Sequence, residues 1–201
     1  MDTAERVSET QGATMNPFSL TPEQIAKAFP GAPLANLRQY WPCVRNALQD
    51  ARLDSAMIVA YALGTIAAES AGFAPISEGV SKYNTRDVPF DAYEHRANLG
   101  NTQAGDGARF KGRGFVQLTG RDNYARYSAR IAVDLIADPT MANDPAIAAQ
   151  LLALFIADRE MKILEALKAS NLALARKLVN GGTHGMDRFA HAYNAILEAL
   201  R

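Results

Sequence analysis

The stretch 56–69, AMIVAYALGTIAAE, constrains the fold more than any other part of the chain. It carries no charge until its last residue, Glu69, and it is too long and too rich in Ala for a strand. Small and apolar residues nearly all round predict a helix buried on most of its surface. Such a helix needs other elements packed around it, so the chain must build a helical body on this segment. Its last turn brings a carboxyl group to the edge of the apolar core, and Gly72 offers the chain an exit. Partial desolvation and the negative end of the helix dipole both favour a protonated Glu69, a group able to give a proton to a leaving group. The alternative is a solvated last-turn residue.

The rest of the chain supplies that body. Residues 1–16 read as a polar N-terminal arm, and 17–201 as a single domain. Thr21 and Pro22 open a helix that runs to about Phe29. A second spans Leu34 to Ala51, with Trp41 in its apolar stripe and Pro42 expected to kink or split it. Asp54 or Ser55 caps the central helix. From Gly72 to Gly114, Gly, Pro, Asn, Asp and aromatic residues replace any sustained periodicity, which predicts a small lobe of short strands and turns. Residues 115–119, FVQLT, alternate and read as an extended segment, with Gln117 and Thr119 on one side. Further helices follow from Asp122 or Asn123 to Ala132, from Pro145 to about Ala169, from Asn171 to Asn180-Gly181-Gly182, and from Met186 to Leu200.

Composition narrows the function classes. The formal net charge is +0, against the basic excess of a dedicated nucleic-acid binder. One cysteine, Cys43, excludes an intrachain disulfide and a cysteine-based zinc site, and the three histidines have no ligand spacing, so no metal or cofactor is expected. No apolar run is long enough to span a bilayer, and the first residues do not form a Sec signal peptide. The expectation is a monomer made in the cytoplasm, without stable membrane insertion.

Three constellations could carry chemistry. Glu78 follows Glu69 by nine positions, across a Gly and a Pro. Two carboxylates facing each other over a cleft are the working parts of glycoside hydrolysis; about 5 Å between them implies a covalent intermediate, and roughly 6.5–9.5 Å leaves room for an attacking water. The segment 111–120, KGRGFVQLTG, sets glycines beside Arg113 and offers Gln117 and Thr119 as hydrogen-bonding groups; it lacks the spacing and the Lys-Ser/Thr ending of a phosphate loop. The third is Asn180-Gly181-Gly182 with Asp187, Arg188 and Tyr193, which without context is a helix stop.

Taken in order, Ala68-Glu69-Ser70-Ala71-Gly72-Phe73, Glu78, 98–102, 105–107, Gly112-Arg113-Gly114, 117–124 and Asn180-Gly181-Gly182 with Asp187-Arg188 resemble the family 19 glycoside hydrolases, the chitinase and phage-endolysin group of the lysozyme-like superfamily. The resemblance covers roughly 58–200 and fits the bacterial and phage branch better than the plant branch, whose members carry longer loops and several disulfides. It implies a mainly α, lysozyme-like fold of two lobes, one of them small and irregular with some β structure, and a substrate cleft between them. It implies inverting hydrolysis of β-1,4 bonds in a polymer containing N-acetylglucosamine. Glu69 matches the general acid, Glu78 the general base, and Thr119 the residue that helps hold the attacking water. Gln117, Asn123 and Asn180 match substrate contacts, Tyr124 lies beside them, and Arg188 matches an arginine that pairs with the acid. Plant members place a second acid where this chain has His184. The expected function is a peptidoglycan hydrolase of endolysin type, reaching the wall through a membrane pore or a dedicated secretion system. A chitinase is the alternative enzyme, and an inactive carbohydrate-binding module the alternative of another class.

Overall fold

The computed structural model describes residues 15–70, 72–80, 89–182 and 184–201. Residues 1–14 of the expected arm lie outside them. Its last two residues are tied down: the Met15 N–H donates to the Leu200 carbonyl at 3.0 Å, and the Asn16 side chain caps a 3-10 turn at Pro17–Ser19.

The central helix is α3, Ala56–Glu69, capped by Ser55, whose side chain accepts the Ile58 N–H. Residues 58–68 are all buried, as an all-round apolar helix requires. Each Leu, Ile or Val buried this fully contributes about 1.5–3 kcal/mol. Gly64 sets how close its neighbour comes. A Cβ there would stand 3.0 Å from the Phe189 carbonyl and 3.1 Å from its ring, so α9 (Met186–Ala199) packs against bare backbone. Tyr61 and Phe189 meet edge-on there at 5.4 Å.

α6 (Pro145–Ala157) and α7 (Glu160–Lys168) also pack on α3, while α2 (Leu34–Asp50) packs on α6, α1 (Pro22–Ala26) on α2 and α8 (Leu172–Asn180) on α7. Thr21 forms a full capping box with Gln24, but α1 stops at Ala26 rather than Phe29, and its last residues pass into a turn. Pro42 does not split α2. It forgoes one backbone hydrogen bond, while Leu37, Trp41, Val44 and Leu48 lock both halves into the core, and the Trp41 indole N–H donates to the Leu20 carbonyl at 2.9 Å. The helix expected from Pro145 to Ala169 is two, because the chain turns at Asp158 and Arg159. There Asp158 accepts hydrogen bonds from Arg126, Arg130 and Tyr127, which draws the carboxylate out of any straight helix.

The lobe between α3 and α5 (Arg121–Ile131) is built of turns, as its composition predicts. It holds β1 (Ile76–Ser77) antiparallel to β2 (Arg113–Gly114), with Ile76 opposite Gly114 and Ser77 opposite Arg113, and the short α4 (Asp106–Arg109). The segment 115–119 is not extended. It turns back so that Leu118 bridges to Arg113, and Gln117 takes a left-handed φ of 52°. Phe115 is the reason: its ring is fully buried beside Phe73 and Tyr40, which pulls the tip of the turn into the core. Beyond the C-cap of α3 at Ser70, Phe73 takes a left-handed φ of 51°. The lobe is fixed internally by Asp106, 2% exposed, which accepts from Arg121 Nε at 2.9 Å.

Candidate active site

A cleft of about 480 Å³ opens between the helical body and the lobe, and Glu69, Glu78, Tyr93, Gln117, Thr119 and Asn123 all line it. The body holds Glu69. Because the turn before it is buried, the carboxyl group is delivered on a rigid helix end, with the side chain 14% exposed. Its Oε1 accepts from the Arg176 guanidinium at 2.6 Å. Arg176 comes from α8 and is itself fully buried, with two further hydrogen bonds to the His184 carbonyl at 3.1 and 3.3 Å. This charge-assisted contact fixes the direction of the carboxyl group.

The lobe holds Glu78. Its N–H donates to the Gly112 carbonyl at 2.8 Å, extending the β1–β2 pairing by one step. Its Oε2 accepts the Gly112 N–H at 3.3 Å, and its Oε1 accepts the Tyr93 hydroxyl at 3.1 Å. The Tyr93 phenol is pushed up to about 12, first by burial, then by the charge and hydrogen bond of Glu78, with Glu69 adding to the effect. One phenol thus feels both carboxylates, and it stays a neutral donor to Glu78 throughout the range in which carboxyl groups titrate.

Gly112 makes the convergence on Glu78 possible. A Cβ there would lie 2.8 Å from Gln117 Oε1, 3.2 Å from Glu78 Oε2 and 3.3 Å from Thr119 Oγ1. Three polar groups therefore close over bare backbone, where a side chain would not fit without a shift. Thr119 Oγ1 donates to the Gln117 carbonyl at 2.9 Å, and Gln117 Nε2 donates to the carbonyls of Ile76 and Gly114 at 2.9 and 3.0 Å. Asn123 Nδ2 donates to the Thr119 carbonyl at 2.8 Å, and the residue lines the cleft.

Two residues named from the motif have other partners. Tyr124 does not reach the cleft; it is fully buried, its hydroxyl between Arg113 and the Lys111 carbonyl, because the lobe needs a partner for a buried guanidinium. Burial pushes its phenol up to about 12. Arg188 borders the cleft, but its guanidinium donates to the Ala68 carbonyl at 3.0 Å, a cation at the C-terminal end of α3, and the arginine on Glu69 is Arg176. Asn180 closes α8, and its side chain lies outside the described residues. His184 lines the cleft.

Sequence reasoning missed Arg176 and Tyr93. For Arg176 a signal existed: it sits four residues after Leu172 and three before Val179, on the apolar stripe of its helix, where a solvated arginine does not belong. Tyr93, in an irregular loop, left none. Among the described residues, no group of three or more His, Cys, Asp or Glu side chains is placed to hold a metal, and no helix is long and apolar enough to cross a membrane.

The chain is mainly α, with a helical body, a small irregular lobe and a cleft between them. No family model matches the chain. Over 105 residues, 52% of the chain, it is 28% identical to a glycosyl hydrolase family 19 domain-containing protein of Haemophilus influenzae. That alignment covers 50% of the relative, so the chain spans about half the length of the curated protein it matches. In fold it is similar to chitinase C of Streptomyces griseus, with TM-score 0.62 and 15% identity over 91% of this chain and 77% of the other. A chitinase C point mutant gives TM-score 0.63 and 18% identity over 89% and 93%. The resemblance to family 19 glycoside hydrolases, read from the motifs, is upheld in sequence and in fold.

Proposed function

We propose that this chain hydrolyses β-1,4 glycosidic bonds of peptidoglycan with inversion at the anomeric carbon. The observation that carries the reading is the placement of two carboxyl groups, one from the helical body and one from the lobe, in a single cleft. Glu69 gives its proton to the glycosidic oxygen as the C1–O bond breaks. Glu78 takes a proton from a water that attacks C1 from the opposite face, and the new C1–O bond completes the hydrolysis. Arg176 occupies Glu69 Oε1, so the transferred proton belongs on Oε2, and the guanidinium stabilises the carboxylate left behind. Gly112, Thr119 and Gln117 supply the place for the water beside Glu78. Tyr93 holds Glu78 in its orientation.

Motifs that fit the bacterial and phage branch support peptidoglycan as the polymer. Chitin is the second reading, favoured by the chitinases among the solved structures of like fold. Rates on purified cell walls and on chitin oligomers separate the two. Glu69→Gln and Glu78→Gln should each lower turnover by about 10²–10⁴-fold with fold retained. Full activity in either variant would remove that residue from its role, and an unsubstituted protein that binds glycan but never cleaves it would be a binding module.

A further inference from the structure

We propose a second binding site, on the far side of Arg188 from the catalytic cleft, that takes the peptide branch of the wall polymer; this rests on the peptidoglycan reading above. A pocket of about 250 Å³ lies between the turn after α1 and the first turns of α9, with Phe29, Pro30 and Ala67 as apolar walls and Asp187, Arg188 and His191 at its mouth. It is smaller than the ~300–1,000 Å³ of a site for a drug-sized ligand, and suits a short branch rather than a sugar chain.

Its position ties it to the reaction. Ala67 lines this pocket, Ala68 lines the catalytic cleft, and Glu69 is the acid. At 1.5 Å per residue the pocket begins only about 3 Å along the helix axis from the acid. Arg188 borders both spaces, pinned as a ridge between them by its hydrogen bond to the Ala68 carbonyl. The walls are firm, since Phe29 is 3% exposed and packs edge-on against Phe73 at 4.9 Å.

The chemistry selects the branch. Apolar walls accept the methyl groups of alanine residues, Arg188 and His191 suit carboxylates, and Asp187 suits an ammonium group. On α9, Asp187 and Arg188 stand four and three residues before His191, so each neighbours it on the helix surface, and all three residues are exposed. Peptidoglycan carries a short peptide with this mixture of groups, ether-linked through a lactyl unit to alternate sugars. Chitin carries only an acetamido group on each sugar. A branch leaving the cleft beside Glu69 meets this pocket first.

The test compares two wall preparations: intact peptidoglycan, and the same glycan strands stripped of peptide by an amidase. His191→Trp fills the mouth of the pocket, and Asp187→Lys reverses its one negative charge. Both positions are exposed, and neither belongs to the catalytic cleft. Each variant should lose about tenfold in kcat/KM on intact walls, the equivalent of one good polar contact, and stay within about twofold on stripped strands. Activity on the stripped strands also reports that the variant is folded. Equal losses on both substrates, or no loss on intact walls, would overturn the inference alone. If the unsubstituted protein cuts chitin oligomers and neither wall preparation, the peptidoglycan reading falls and the inference with it.

Discussion

Replacing Gly112 by alanine should disable the protein without unfolding it. The φ of Gly112 is not in the left-handed region, so an alanine is free to adopt the native backbone. Removing a glycine stabilises by about 0.4–1 kcal/mol through the unfolded chain. Opposing this, the new Cβ meets Gln117 Oε1 at 2.8 Å, the far end of a side chain whose displacement strains its bonds to the Ile76 and Gly114 carbonyls. The two effects nearly cancel, and the melting temperature should move by no more than about 4 °C, given 2–4 °C per kcal/mol for a domain of this size. Activity has no such relief. Glu78 Oε2 at 3.2 Å and Thr119 Oγ1 at 3.3 Å must both give by a few tenths of an ångström, and the methyl group enters the space between them. Since a 1 Å misplacement costs roughly 10²-fold in rate, a loss of about 10–100-fold in kcat on cell walls is expected. Thermal unfolding followed by circular dichroism, beside a reducing-sugar assay, measures both halves. A Gly112→Ala protein with normal melting and turnover within twofold of the parent would refute the convergence of Glu78, Thr119 and Gln117 on a catalytic water.

Arg176→Met keeps the volume of a buried side chain and removes the cation beside Glu69. Breaking a buried ion pair from one side costs about 3–5 kcal/mol, and access of Glu69 to cleft water reduces this to about 2–3; urea unfolding should show it, together with a fall in kcat. At alkaline pH the raised tyrosines come into play. The folded phenol of Tyr124 lies at about 12 against about 10 unfolded, so its contribution is complete below pH 10 and is lost as pH rises toward and through 12. That two-unit gap amounts to about 2–3 kcal/mol; urea unfolding should record the loss between pH 10 and 12, with Tyr124→Phe showing a shallower fall.

Much of this architecture was legible because it depends on local rules. Ser55, Thr21 and Asn171 announce their helices through capping, Pro145 announces one from the first helical position, and the charge-free run to Glu69 announces the core helix. What escaped were outcomes decided at a distance. Pro42 looked like a break because a helix read alone cannot know how firmly its flanks are packed. The residues 115–119 looked like a strand because alternation also arises in a turn whose Phe115 and Leu118 are drawn into the core. In the site, the carboxyl at the helix end was visible, but its cation stands 107 positions away on another helix. The motif pointed to Arg188, a neighbour of the right charge on the wrong side of the Ala68 carbonyl.

The central claim is that Glu69 and Glu78 act as acid and base on a water, not as acid and nucleophile on the sugar. Proton NMR of the first-formed product from a β-1,4-linked oligomer, taken before mutarotation, tests it most directly. The account predicts the α-anomer as the initial product. Initial accumulation of the β-anomer would mean retention, and would contradict it.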